Sequence, residues 1–238
     1  MAGLQGISSA SVGVFAWVRG DGSAGSCAVT PYVVNDDVVI TSTLAFTSKA
    51  SAVRRDPRVA LLAGGQLAIG SATVFVDQTP RWFDDNIRSA EIRKFPPTKS
   101  ILSIPGHRRL FPWYVGRIVI RFHPDVVESC AGSDRITASW LADGRLRILP
   151  ITVDETGNPL VADLEDGPVQ VLVHEEHNHM ADLRQLSVRG QIDHGQLVEV
   201  HRSGSMDPSQ SGIMAQIAQL RSLARLARRS RAVIESGG

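Results

Sequence analysis

Cysteine is nearly absent from this chain of 238 residues: Cys27 and Cys130 are the only two. They lie far apart with no Cys-x-x-Cys spacing, so no disulfide scaffold or thiolate cluster organises the fold. Two buried or half-buried thiols in a reducing compartment are expected. Charge of one sign is also missing. A formal net charge of +1 gives no global field to draw in nucleic acid or an acidic membrane. No apolar run approaches the roughly 18–20 residues of a membrane span, and the first residues have neither the basic start nor the apolar core of a signal peptide. The expected location is cytoplasmic. No Gly-x-Ser-x-Gly elbow, Walker loop or Gly-x-Gly-x-x-Gly turn is present, so no nucleophile or dinucleotide fingerprint can be argued.

What the chain does contain is an ordinary globular balance, 43% hydrophobic and 21% charged, with few aromatics and many short runs of Val, Ile and Thr. Turn signals break these runs at close intervals: Gly20-Asp21-Gly22, Asn35-Asp36-Asp37, Gly64-Gly65, Asp143-Gly144, Gly157-Asn158-Pro159 and Asp193-His194-Gly195. The pattern predicts a mostly β fold, an antiparallel sandwich or barrel. Strands are expected over 11–18, 26–34, 38–43, 58–63, 67–76 and 114–122. Residues 80–94 read as helical, with Trp82, Ile87 and Ile92 facing inward, and 95–111 as an irregular connection.

The second half repeats this grammar, with strands expected over 136–141, 145–153, 168–174, 183–191 and 196–201. DPRVALLAG at 56–64 resembles DGPVQVLVHE at 166–175, and 65–77 resembles 182–193. These pairs point to an internal duplication and to three units: 1–129, 130–206 and a C-terminal helix over 207–238. Ile213, Ile217, Leu220, Leu223 and Ala227 share a face of that helix. Arg221, Arg225, Arg228, Arg229 and Arg231 crowd its end, where cations suit the helix dipole. Without interleaved aromatics this reads as a solvated face, and no nucleic-acid or membrane partner is expected.

The most informative stretch is VVITSTLAFTSKASAVRRDPRVALL, residues 38–62. Thr41, Ser42 and Thr43 leave a β-branched run, and Ser48 and Lys49 follow a short turn later. Hydroxyls, backbone N–H groups and one ammonium in so short a span make a phosphate-sized anion site, unless the turn is merely solvated. The order strand, ITST, turn, SKA, RRDPRVALL, hairpin, long strand resembles the flavin split-barrel superfamily of pyridoxamine 5′-phosphate oxidase-like proteins and F420-dependent reductases. The resemblance spans about residues 11–128. It implies a split β-barrel, two in tandem with the C-terminal helix, and a phosphate held by Thr41, Ser42, Ser48 and Lys49, with Thr43 beside them. It places the isoalloxazine along the backbone of Val29, Thr30 and Pro31. FMN and F420 both carry the phosphate, and the chemistry implied is hydride transfer to or from a small organic substrate.

The second half lacks the hydroxyl-and-Lys segment and has the acidic LVADLEDG in its place. Family members commonly form homodimers with the cofactor between subunits. The expectation here is therefore a homodimer, or an intrachain pseudodimer with one competent site. The histidines of His174-Glu175-Glu176-His177-Asn178-His179 do not have the His-Glu-x-x-His spacing. They read as a polar hairpin tip, and no metal is expected. Two other readings share the fold: a haem-binding protein ligated through His107, His123 or the 174–179 cluster, and an interaction module without cofactor. Arg108, Arg109, Trp113 and Tyr114 either close over a cofactor or start the next strand.

Overall fold

The computed structural model describes residues 3–43, 48–79, 81–94, 117–155, 158–177 and 182–206. In chain order these form α1 (Gln5–Ser9), β1 (Gly13–Val18), β2 (Ala24–Val29), β3 (Pro31–Val34), β4 (Asp37–Thr43), α2 (Ser48–Arg55), β5 (Arg58–Ala63), β6 (Gln66–Asp77), α3 (Arg81–Asn86) and α4 (Arg88–Lys94). There follow β7 (Arg117–Ser129), β8 (Ile136–Ala142), β9 (Arg145–Pro150), β10 (Gly167–His177), β11 (Asp182–Asp193) and β12 (Gln196–Ser205). The mostly β reading holds. The run expected at 26–34 is two strands, because Pro31 has no N–H to continue a ladder. The helical stretch at 80–94 is two short helices. Its inward residues are Phe83 and Ile87, while Trp82 is only partly buried. The candidates at 95–116 and the C-terminal helix at 207–238 lie outside the described residues.

Seven strands form one antiparallel sheet in the order β2-β1-β5-β6-β7-β4-β3. Strand alternation gives it two faces. Phe15 and Trp17 of β1, Val29 of β2, Val38 and Ile40 of β4, Leu61 of β5 and Phe122 of β7 meet in a single core. Strands from opposite ends of the order share that core, so the sheet curls into a barrel around it. Helix α2 closes one side with Ala52 and Val53. It stops at Arg55, before Asp56-Pro57. The Asp56 carboxylate then accepts the Arg58 backbone N–H at 3.2 Å and starts β5.

The outer face of β1 and β5 is also buried. Val14, Ala16, Ala60 and Leu62 pack against Leu146, Ile148 and Leu172 of a second, five-stranded antiparallel sheet. That is why every residue of β1 is buried, where one-sided burial would alternate. Gln170, 1% exposed, crosses this junction. Its amide donates to the Ser26 carbonyl at 2.7 Å, and its carbonyl accepts from Arg19. Gln185 of β11 accepts the Ala28 N–H at 3.1 Å.

The second sheet has the order β9-β8-β10-β11-β12. This matches the first five places of the barrel order, β2-β1-β5-β6-β7. The two sheets also share a bulge. In the barrel Val59 pairs with Gly70, next to the register shift of β6 on β7. In the second sheet Val169 pairs with Gly190, next to the shift of β11 on β12. Both glycines allow close backbone approach. A Cβ at Gly70 would fall on the His123 carbonyl oxygen, and one at Gly190 on that of Val198. This equates Gly70 with Gly190, a different register from the end-to-end match of 65–77 with 182–193. No counterpart of β3, β4 and α2 occurs among the described residues between β9 and β10.

The α3–α4 arm covers the β4–β7 side through Phe83 and Ile87, packed on Tyr32, Val39 and Val119. A buried polar clamp holds it. The Tyr32 hydroxyl donates to Glu91 Oε2 at 2.8 Å, and Arg117 lies 3.8 Å from the Glu91 carboxylate and over the Phe83 ring. Burial, then the Glu91 charge, pushes the Tyr32 phenol well up. Lys94 Nζ donates to the carbonyls of Ala10 at 2.8 Å and Pro31 at 2.6 Å. Burial, and then Arg93, lower its pKa from 10.5 to about 8.

Gln170→Leu leaves the Ser26 carbonyl buried without a donor. It is expected to lower unfolding free energy by about 1–3 kcal/mol, read from urea denaturation. For Lys94 the folded pKa lies below the unfolded one, so the unfolded chain holds more protons between about pH 8 and 10.5. Stability contributed by Lys94 therefore rises with pH through that window. Lys94→Met should remove this part of the rise in a comparison of the two stability profiles.

Candidate functional site

The sequence placed the site at the end of β4 and the start of α2. Strand alternation divides its hydroxyls between two faces. Ser42 follows Ile40 on the inner side and pairs with Ile118, which packs against Ala50 of α2. Thr41 and Thr43 follow Val39 on the opposite face, the one that α3 and α4 cover. The structure thus brings Ser42 together with α2, the helix that carries Ser48 and Lys49, and sets Thr41 and Thr43 apart from them. Thr43 Oγ1 is buried and has no hydrogen-bond partner among the described residues. Ser48 is exposed and Lys49 half-buried.

Lys49 reaches across to β2, where its Nζ lies 3.9 Å from Cys27 Sγ. A thiol is a weak acceptor, and no carboxylate forms an ion pair with this ammonium among the described residues. The charge is therefore not neutralised by them. Cys27 and Val29 share the inner face of β2, Val29 within the core. Pro31 is buried and its carbonyl is taken by Lys94. Of the stretch expected to carry a ring, Val29 is fixed by packing and Pro31 by its carbonyl.

Cys27 beside Lys49 was not legible in the sequence, nor was Lys94 as the anchor of Pro31. Cys27 is 22 residues from Lys49, and only the closure of the sheet brings them together. The one available signal for Lys94 was its helical spacing from Glu91, three residues earlier, which puts both on one face.

The histidines are distributed differently from expectation. His107 lies outside the described residues. His123 is exposed, with Nδ1 2.7 Å from Asp37 Oδ1. Burial pushes the Asp37 carboxyl up, but hydrogen bonds from His123 and Arg121 outweigh it and hold the pKa below the ordinary value. His174 is not on a hairpin tip. Strand β10 runs on to His177, so His174 sits inside it, opposite Gln185, and is 4% exposed. Elsewhere Asp166, Asp193 and His194 bring three possible metal ligands within 4.8 Å of one another, all on exposed side chains. None of them belongs to the 174–179 cluster.

No family model and no curated protein matches the chain. Solved structures do. General Stress Protein 26 from Bacillus anthracis is 18% identical, over 52% of this chain and 86% of its own, with a TM-score of 0.34. A candidate pyridoxamine 5′-phosphate oxidase from Listeria innocua is 19% identical over 53% of this chain and 93% of its own, TM-score 0.36. A protein titled F420 reductase is 13% identical over 54% of this chain and 97% of its own, TM-score 0.35. Each is matched over about half of this chain.

Proposed function

We propose that this chain is an oxidoreductase of the flavin split-barrel type, holding FMN or F420 on its first barrel and exchanging a hydride with a small organic substrate. The observation that carries the reading is Lys49. It is a half-buried ammonium facing Cys27, unpaired with any carboxylate among the described residues, on a helix packed beside Ser42. A cation so placed favours an anion, and a phosphate oxygen would give it a charge-assisted bond that the Cys27 sulfur does not. The residues present thus fit a phosphorylated cofactor in chemistry.

Bound there, a flavin or deazaflavin ring would supply the hydride chemistry itself. The chain's part is binding and orientation. Lys49, with Ser42 and Ser48 on its side of the strand, would hold the phosphate. Val29 and Thr30 offer rigid extended backbone beside it. The Lys94 bond to the Pro31 carbonyl keeps that backbone in place. The second sheet, already seated on the outer face of β1 and β5, would act as a built-in partner. Among the described residues it has no β4–α2 counterpart, so one site per chain is expected.

Lys49→Ala should raise the dissociation constant for FMN or F420 about tenfold or more, the worth of a charge-assisted hydrogen bond. Titration followed by flavin or deazaflavin fluorescence checks this, and unchanged affinity would reject the clamp. The built-in partner predicts a monomer in sedimentation with one cofactor per chain. A tight dimer carrying two symmetric sites would contradict it.

A further inference from the structure

The face of the second sheet turned away from the barrel is only partly covered. The 151–166 connection lies across it and packs Val161 and Leu164 with Trp140, Val169 and Ile192. Beside that connection a groove of about 540 Å³ stays open. Leu160, Val161 and Ala162 line one side of it, and Val188 and Leu197 the other, with Glu199 and Arg202 of β12 at its border. Leu160 is 51% exposed. β12 is also the edge strand of its sheet, and Val198 and Val200 on it are exposed. A cluster of this kind marks a surface that another element covers.

Charge around the groove is graded along β12. At the Gln196 end, Asp166 and Asp193 bring carboxylate oxygens within 4.8 Å of each other, beside His194. Asp163 and Glu165, also exposed, adjoin them. Arg202 is the one cation of the lining among the described residues, and it lies toward the other end. Glu199 neutralises it through bonds of 3.1 and 2.7 Å. Arg145 and Arg147 are on β9, at the opposite edge of the sheet. Arg189 is registered with Gln170 on the barrel side.

The chain itself brings a matching segment here, because residues 207–238 follow directly on β12. Their apolar residues Ile213, Ile217, Leu220, Leu223 and Ala227 recur at helical spacing, and no arginine precedes Arg221. Pro208 and Gly212 suit a reversal of direction before that pattern begins. From Arg202 back to Gln196, β12 spans about 20 Å, the rise of a helix between Ile213 and Leu226. A helix running antiparallel to β12 would lay its uncharged half past Arg202. Its arginines would then arrive at Asp166 and Asp193.

We propose that residues 213–228 dock as an amphipathic helix in this groove of their own chain, with the apolar face on Leu160 and Leu197 and the arginines on Asp166 and Asp193. The docking is independent of Lys49 and of any cofactor held there.

Hydrogen exchange of the full-length protein, read by mass spectrometry on peptides from 213–228, tests this. A lone helix of that length is marginal in water, so strong protection of these amides reports docking. Protection that does not vary with protein concentration is expected. Leu160→Lys, at an exposed position, should lower it about tenfold, through the lost burial of one leucine. Asp193→Lys should lower it about threefold at low salt, and it keeps the test decisive if Leu160→Lys disturbs the sheet. Absence of protection over 213–228 would overturn the proposal. So would protection unchanged in either variant, or protection that grows with protein concentration, which would make the occupant a second copy of the chain.

Discussion

The structure depends on covering the outer face of β1 and β5. A sheet curled around one core buries its inner face by closure, and nothing internal to the barrel buries the other. Here that outer face carries Val14, Ala16, Ala60 and Leu62, too apolar to leave in water and mostly small enough for a second backbone layer to approach closely. The second sheet meets this need with Leu146, Ile148 and Leu172. Once the faces are apposed, the Ser26 carbonyl loses water and Gln170 becomes its obligatory partner, while Gln185 meets the Ala28 N–H at the exposed rim.

Strand positions were legible because period-two patterning and turn residues are local. Residues 58–63 matched β5 to the residue, and Gly64-Gly65 ended it where the turn requires left-handed backbone, φ +57° and +72°. Burial on both faces of β1 could not be told from alternation, since its cause lies far along the chain in β9 and β10. The expected strand ended at His174, where the polar cluster read as a turn; β10 runs on to His177 because its last residues are paired by β11 whatever their polarity.

The candidate site was legible as a segment and not as a geometry. Listing Thr41, Ser42 and Thr43 together overlooked that consecutive residues of a strand face opposite ways. The structure keeps Ser42 with the Lys49 helix and gives Thr41 and Thr43 to the α3–α4 side. What the sequence could not supply was the third dimension that brings Cys27 to Lys49 and Lys94 to Pro31. Each is a contact between elements that only sheet closure makes neighbours.

Strand β7 has a bearing on how the chain is made as well as how it stands. It pairs with β6 over twelve registered positions from Gln66 to Asp77, and with β4 from Val38 to Thr43. The β3–β4 hairpin is thus synthesised early but has no neighbouring strand in its sheet until residues 117–129 leave the ribosome. Such distant pairing must overcome loop-closure entropy before it gains contacts, which slows folding. During that interval the open edge of β4, rich in Val and Ile, is exposed to any other extended chain. The strand that leads into the helix carrying the proposed cofactor anchor is therefore also the one most exposed to mispairing before the barrel closes.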